Sequence, residues 1–239
     1  MKTKKEYDLY DPIKKYFEAK GFSVYGEVKG CDLIARSGDE LIAVELKLSV
    51  SLKLIFQAME RKKSAPLVYV AVPRPKSAKS KHYKNSIELL KTLGIGMLVV
   101  ALDSPLKTVE PVLHPECNKP SNAVKSRAIK KEIEGRSADY NKGGSTRQKI
   151  ITAYRERSVK IAVLMDKHGE LSAKILVGEY GEEKSIGSIL GKNFYGWFER
   201  IDKGIYRLSE KGKEALLDEQ YSEIVKFYRG ETTDNSNFL

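Results

Sequence analysis

Apolar positions along this chain recur in two alternating periods, and the alternation predicts its elements. From Asp11 to Lys20, Ile13, Tyr16, Phe17 and Ala19 fall at helical spacing. Pro12 suits a first turn, Asp11 before it a cap, and Gly21 a C-terminal stop. The segments FSVYGEVKG, CDLIARSGD and ELIAVELKL then read as three strands of a meander, rich in Val, Ile, Leu and Tyr and separated by Gly and charged turns. Helical spacing returns from Leu52 to Lys63. APLVYVAVP follows as a strand, Lys81 to Leu93 as a helix and IGMLVVAL as a strand. This order predicts an α/β (α+β) domain, a mixed sheet covered by helices.

Residues 103–121 contain Pro105, Pro111, Pro115 and Pro120 and no sustained periodicity, so a first domain is expected to span 1–115. Residues 116–145 read as a basic connector, helical over 122–138, ending in the flexible turn NKGGS with Ser145 or Thr146 as a helix cap. A second domain, 146–230, shows helices near 146–167, 172–180 and 184–193, the hairpin WFERIDKGIYRLS and a helix from Ser209 to Asp218. That is the layout of a winged helix. Residues 231–239 read as a polar tail that is expected to fray.

Charge changes the picture by its distribution. The chain carries 43 Lys and Arg against 32 Asp and Glu, net +11, which makes polyanions natural partners. Residues 119–160 hold 12 basic and 4 acidic residues, and residues 161–239 hold 11 and 14. Lys125, Arg127, Lys130 and Lys131, with Arg147, Lys149, Arg155, Arg157 and Lys160 beyond them, are therefore better candidates for gripping nucleic acid than the acid-flanked helix 185–193. Arg74, Lys76, Lys79, Lys81 and Lys84 form a second patch, either a solvated loop or a phosphate contact. Phe194, Tyr195, Trp197 and Phe198 are expected in the core between helix and hairpin rather than stacked on bases. Cys31 and Cys117 match no metal or disulfide spacing and are expected as free thiols. His82, His114 and His168 share no spacing that supports a metal site. No run of about 18 apolar residues is present, and the N-terminus lacks the apolar core of a signal peptide, which points to a soluble, cytoplasmic protein without membrane contact.

The chemistry lies between residues 27 and 47. Glu45 and Lys47 share one face of a strand, because side chains alternate with period two. Asp32, on the neighbouring antiparallel strand, can come opposite them. Two carboxylates, with the Leu46 carbonyl, are hard oxygen ligands suited to Mg²⁺. A metal there polarises a phosphodiester, while Lys47 orients water or stabilises developing charge. Glu27 is either a further ligand or a strand-face charge. Asp8 or Asp11 is an accessory candidate, although capping suits Asp11 better. Arg61, one turn beyond Gln57, either reaches a phosphate or faces solvent.

GCDLIAR followed by VELK, with thirteen residues from acid to acid, resembles the PD-(D/E)XK nuclease superfamily, whose core is a helix, three strands, a helix and a further strand. VELKLSVSLKLIFQAMERKKSAPLVYVAVP, NKGGSTRQKIITAYRE and NFYGWFER look like a bacterial PD-(D/E)XK phosphodiesterase family over nearly the whole chain. The resemblance implies a restriction-endonuclease-like fold, Asp32 as the strand acid, Glu45 and Lys47 as the acid and lysine of the ExK triplet, and Gln57 as a polar companion. Cys31 replaces the Pro that usually precedes the first acid. The implied activity is Mg²⁺-dependent hydrolysis of double-stranded DNA, with Mn²⁺ as a substitute metal, by a monomer or homodimer. The alternative is a catalytically silent nuclease fold that binds DNA.

Overall fold

The computed structural model describes residues 4–144 and 149–231. It divides into two compact units, Met1–Ile151 and Thr152–Leu239. Ser145, Thr146 and Arg147 lie outside the described residues.

Among the described residues of the first unit, a 3-10 turn at Glu6–Leu9 leads into α1 (Tyr10–Glu18), followed by β1 (Ser23–Val28), β2 (Cys31–Ser37), β3 (Glu40–Leu46), α2 (Leu52–Lys62), β4 (Leu67–Pro73), α3 (Lys81–Thr92), β5 (Gly96–Val100), β6 (Val109–Leu113) and α4 (Ala123–Glu134). The six strands lie in the order β1-β2-β3-β4-β5-β6. The pairings β1–β2, β2–β3 and β5–β6 are antiparallel, whereas β3–β4 and β4–β5 are parallel. The central strands read as near-continuous apolar runs because both sheet faces are covered. Alternate residues of β3 divide between the two layers: Leu41 and Ala43 pack with Leu54 and Ala58 of α2 and Ile129 and Ile133 of α4, while Ile42, Val44 and Leu46 pack with Leu9, Ile13 and Phe17. Hydroxyl caps start the helices after β3 and β4, with Ser51 Oγ accepting from the Leu54 amide and Ser80 Oγ from that of Tyr83.

Three expectations are corrected. The proline-rich stretch contains β6, an edge strand, where Pro111 is tolerated because edge positions do not all donate to a ladder. Residues 116–145 belong to the first unit rather than to a connector, since Ile129 and Ile133 are buried in its core. Asp11 does not cap α1; it lies in the first turn and pairs with Lys142 at 2.6 Å.

The segment after α4 is stitched to β1. Arg136 donates to the carbonyls of Gly26 (2.8 Å) and Glu27 (3.1 Å). Asp139 accepts from Tyr10 Oη (2.6 Å), Lys14 Nζ (2.7 Å) and the Gly26 amide (2.8 Å). Burial, and next the Asp139 charge, raise the Tyr10 phenol far above its ordinary range, so it remains a donor.

In the second unit the described elements are α5 (Ala153–His168), β7 (Leu171–Ser172), α6 (Ala173–Gly178), α7 (Ile186–Lys192), β8 (Phe198–Asp202), β9 (Ile205–Leu208), α8 (Glu210–Leu217), a 3-10 turn at Glu219–Tyr221 and α9 (Ser222–Arg229). The strands form a small sheet ordered β7-β9-β8. Trp197 and Phe198 are buried, as expected, but Phe194 is 71% exposed. No helix of the described residues is long and apolar enough to cross a membrane.

Replacing Asp139 with Ala strands two donors and a lysine at the β1 edge, which is expected to destabilise the first unit by about 2–4 kcal/mol. Urea titration of the variant measures this, and a loss within experimental error of zero would remove Asp139 from the account of how 136–144 is held.

Candidate active site

β2 and β3 end their ladder at Leu33↔Val44, and beyond that pair a side chain replaces the backbone: Asp32 Oδ2 accepts the Leu46 amide at 2.8 Å. Leu46 therefore joins the site through its N–H, and its side chain is fully buried. Glu45 is on the face that α2 covers and has no exposed surface. Its Oε1 accepts from Arg61 Nε at 2.5 Å. Its Oε2 is buried and has no hydrogen-bond partner among the described residues, and the same is true of Gln57 Oε1 on α2. A native interior rarely leaves such oxygens alone.

Lys47 follows the end of β3, with its amide bonded to the Ala71 carbonyl. Its ammonium meets Glu6 Oε2 at 2.5 Å. The two charged ends of the ExK triplet thus have separate partners, Glu45 on α2 and Lys47 in the N-terminal turn. Glu6 is a site residue the sequence reading missed; it precedes the first periodic residues, and nothing local marks it. Asp8, one of the acids singled out instead, accepts from the Lys5 amide.

Burial raises the Asp32 carboxyl above its ordinary range, opposed by the Leu46 amide and Lys47. Burial and then the Asp32 charge raise Glu45, opposed by Arg61 and Lys47. Glu27 is half-buried, and burial followed by the Asp32 charge pushes it up to about 7. Glu27 is in left-handed backbone (φ 50) and its Oε1 accepts the Gly144 amide at 3.0 Å. Next to it, a Cβ on Gly143 would stand 2.0 Å from the Asp32 carbonyl oxygen, so only glycine fits. The segment read as a flexible turn is therefore packed against two acids of the site.

Among the described residues no group of three or more His, Cys, Asp or Glu is gathered closely enough to hold a metal ion. The candidate donors are instead two carboxylates, Asp32 and Glu45, with the amide oxygen of Gln57 on α2 as a further buried oxygen. Two unpartnered buried oxygens in that set fit a hard divalent cation, which takes oxygen ligands and keeps water in its remaining positions.

The other candidates separate into paired and unpaired groups. Arg61 does not face solvent but is bound to Glu45 and to the Gly30 carbonyl. Arg74 pairs with Glu110, Lys125 with Glu60, and Lys130 with Asp39. Arg127 is exposed, its Nε facing the Ala123 carbonyl at 3.4 Å. In the second unit Arg155 lies over the Tyr195 ring, 5.0 Å from its centroid, while Arg157 and Lys160 meet Glu182 and Glu183. Four residues of the expected basic stripe, Lys125, Lys130, Arg157 and Lys160, are thus paired with acids. Lys76, Lys79, Lys81 and Lys84 are exposed and make no ion pair among the described residues. Cys31 and Cys117 are free thiols, as expected.

A six-stranded mixed sheet flanked by helices is the restriction-endonuclease-like class of fold. Within that class, residues 98–215 match the model of a family described as "Putative PD-(D/E)XK phosphodiesterase". The match begins in β5 and includes the segment 136–144 that packs on β1; Asp32, Glu45 and Lys47 precede it. No curated protein matches the chain.

A carboxyl whose folded pKa is raised favours the fold in its protonated form. For Glu27 that contribution is complete below its ordinary 4.5 and is lost as pH rises to about 7. Melting temperatures of metal-free protein are therefore expected to fall across that window, and Glu27→Gln, which keeps an acceptor for Gly144, is expected to flatten the fall. An unchanged slope in the variant would show that Glu27 does not bind the proton.

Proposed function

We propose that the protein is a metal-dependent nuclease that hydrolyses the phosphodiester backbone of DNA, with Mg²⁺ as its metal and Mn²⁺ as a substitute. The observation that carries this reading is the fully buried Glu45 carboxylate, one oxygen of which has no partner among the described residues, with the Asp32 charge close enough to raise it. A buried charge with an open valence costs several kcal/mol unless something compensates it, on the order of 3–5 kcal/mol for a broken ion pair. Asp32, Glu45 and Gln57 would hold the cation, with the Leu46 carbonyl and Glu27 as further candidates. Bound there, the cation supplies Lewis-acid polarisation of the phosphate and acidifies water.

The chain's own groups do the rest. The Leu46 amide fixes Asp32 by one oxygen and leaves the other available. Lys47, held by Glu6, has its ammonium at the strand end, where it can orient the attacking water or offset charge on the pentacoordinate phosphorus. Substrate grip falls to the loop after β4. Because β3 and β4 are parallel, with Glu45 opposite Val70 and Leu46 opposite Ala71, residues 74–84 leave the sheet at the end that bears the acids. Lys76, Lys79, Lys81 and Lys84 there are exposed, make no ion pair among the described residues and are suited to phosphates.

The second unit, with helices followed by the β8–β9 hairpin, is read as a winged-helix module. Its Arg157 and Lys160 are paired with Glu182 and Glu183, which favours protein, including a second copy of this chain, over DNA as its partner. The two free thiols favour a reducing compartment, the cytoplasm.

Incubation of plasmid DNA with the protein and Mg²⁺ is expected to give nicked or linear product, reduced at least ~100-fold in Glu45→Ala and in Lys47→Ala. Product formation that survives both substitutions would falsify the assignment. Retention of DNA with no Mg²⁺-dependent product would instead favour a silent nuclease fold.

A further inference from the structure

Arg61 stands in the last turn of α2, where a cation suits the helix dipole, yet its head points inward and its side chain is only 17% exposed. Its fork makes two bonds to different elements. Nε donates to Glu45 Oε1 at the end of β3, and Nη2 donates to the Gly30 carbonyl in the turn that leads into Cys31 and Asp32. That turn is itself constrained, because Lys29 (φ 50) and Gly30 (φ 82) both adopt left-handed backbone. One planar group therefore ties α2, the strand that bears Glu45 and the turn that delivers Asp32.

The division of Glu45's oxygens gives this tie a direction. Arg61 takes Oε1, and Oε2 is left buried with no partner among the described residues. A free carboxylate could rotate to offer either oxygen; held through Oε1, it presents Oε2. Gln57, whose Oε1 is the other unpartnered buried oxygen, is on the same helix one turn earlier.

We propose that Arg61 is a positioning residue for the metal site: it holds Glu45 by one oxygen and the turn before Asp32 by its carbonyl, so that the second Glu45 oxygen is preset for a divalent cation. The inference rests on the metal-dependent reading above and adds to it a residue that touches neither metal nor substrate. A lysine keeps the charge and can hold Glu45, but it has no planar fork to reach Gly30 at the same time. A glutamine loses the charge altogether. Groups that orient metal ligands in this way typically contribute about 10–100-fold to metal affinity.

The test is Mn²⁺ affinity of the full chain, read from the electron paramagnetic resonance signal of free Mn²⁺, with thermal melts run alongside. Arg61→Gln is expected to weaken binding by about 10–100-fold and Arg61→Lys by an intermediate amount. Glu45→Gln is expected to abolish binding. Unchanged or tighter Mn²⁺ binding in Arg61→Gln, with Glu45→Gln still silent, overturns the positioning role while leaving the metal site intact. Undiminished binding in Glu45→Gln overturns the metal reading itself. If Arg61→Gln does not fold, Arg61→Lys decides alone: intermediate affinity supports the proposal, and wild-type affinity overturns it.

Discussion

A carboxylate with no exposed surface, at the end of a central strand in a sheet covered on both faces, is the condition around which the first unit is arranged. Glu45 cannot be solvated there, and desolvation raises its carboxyl above the ordinary range, while Arg61 and Lys47 draw it back. Hydrogen bonding meets half of the demand, because Oε1 has Arg61 and Oε2 has no partner among the described residues. Asp32 solves the same problem by borrowing the Leu46 amide, a donor that becomes available because the β2–β3 ladder stops at Leu33↔Val44. The acids are thus tolerable because the sheet frays at the place where they stand. An interior that keeps such a group, when an apolar side chain would pack without penalty, is shaped by chemistry rather than by stability.

The outer edge of the same sheet is held by close approach. A Cβ on Gly26 would stand 2.3 Å from the Asn141 carbonyl oxygen, and one on Gly143 would stand 2.0 Å from that of Asp32. Between these contacts Glu27 kinks into left-handed backbone and receives the Gly144 amide. Edge strands present unpaired backbone groups, and the segment 136–144 covers this one. The covering segment lies within the span matched by the phosphodiesterase family, so residues far along the chain shape the surroundings of acids near its start.

Much of this was legible in the sequence for a simple reason: α1, α2, α3 and β1 to β5 are long enough for their periods to show, and Asp32, Glu45 and Lys47 sit at fixed places in that pattern. What could not be read depends on pairing across sequence distance. Glu6 meets Lys47 across 41 positions, and Asp139 meets Gly26 across 113. β6 was hidden by Pro111, which an edge strand accepts. Composition shows the basic residues of 119–160 but not their partners; Lys125, Lys130, Arg157 and Lys160 find acids in the folded chain. Arg61 had the right position and the wrong direction, because a helix face read from periodicity does not say whether a long side chain turns back beneath it.

On the proposed reading, Asp32 and Glu45 form one cation site. A crystal structure of the protein grown with Mn²⁺, with anomalous scattering recorded at the manganese edge, tests it most directly. The expected result is a single strong peak in contact with Glu45 Oε2 and an Asp32 oxygen. A well-ordered Glu45 still bonded only to Arg61, with no peak beside it at millimolar Mn²⁺, would contradict the account.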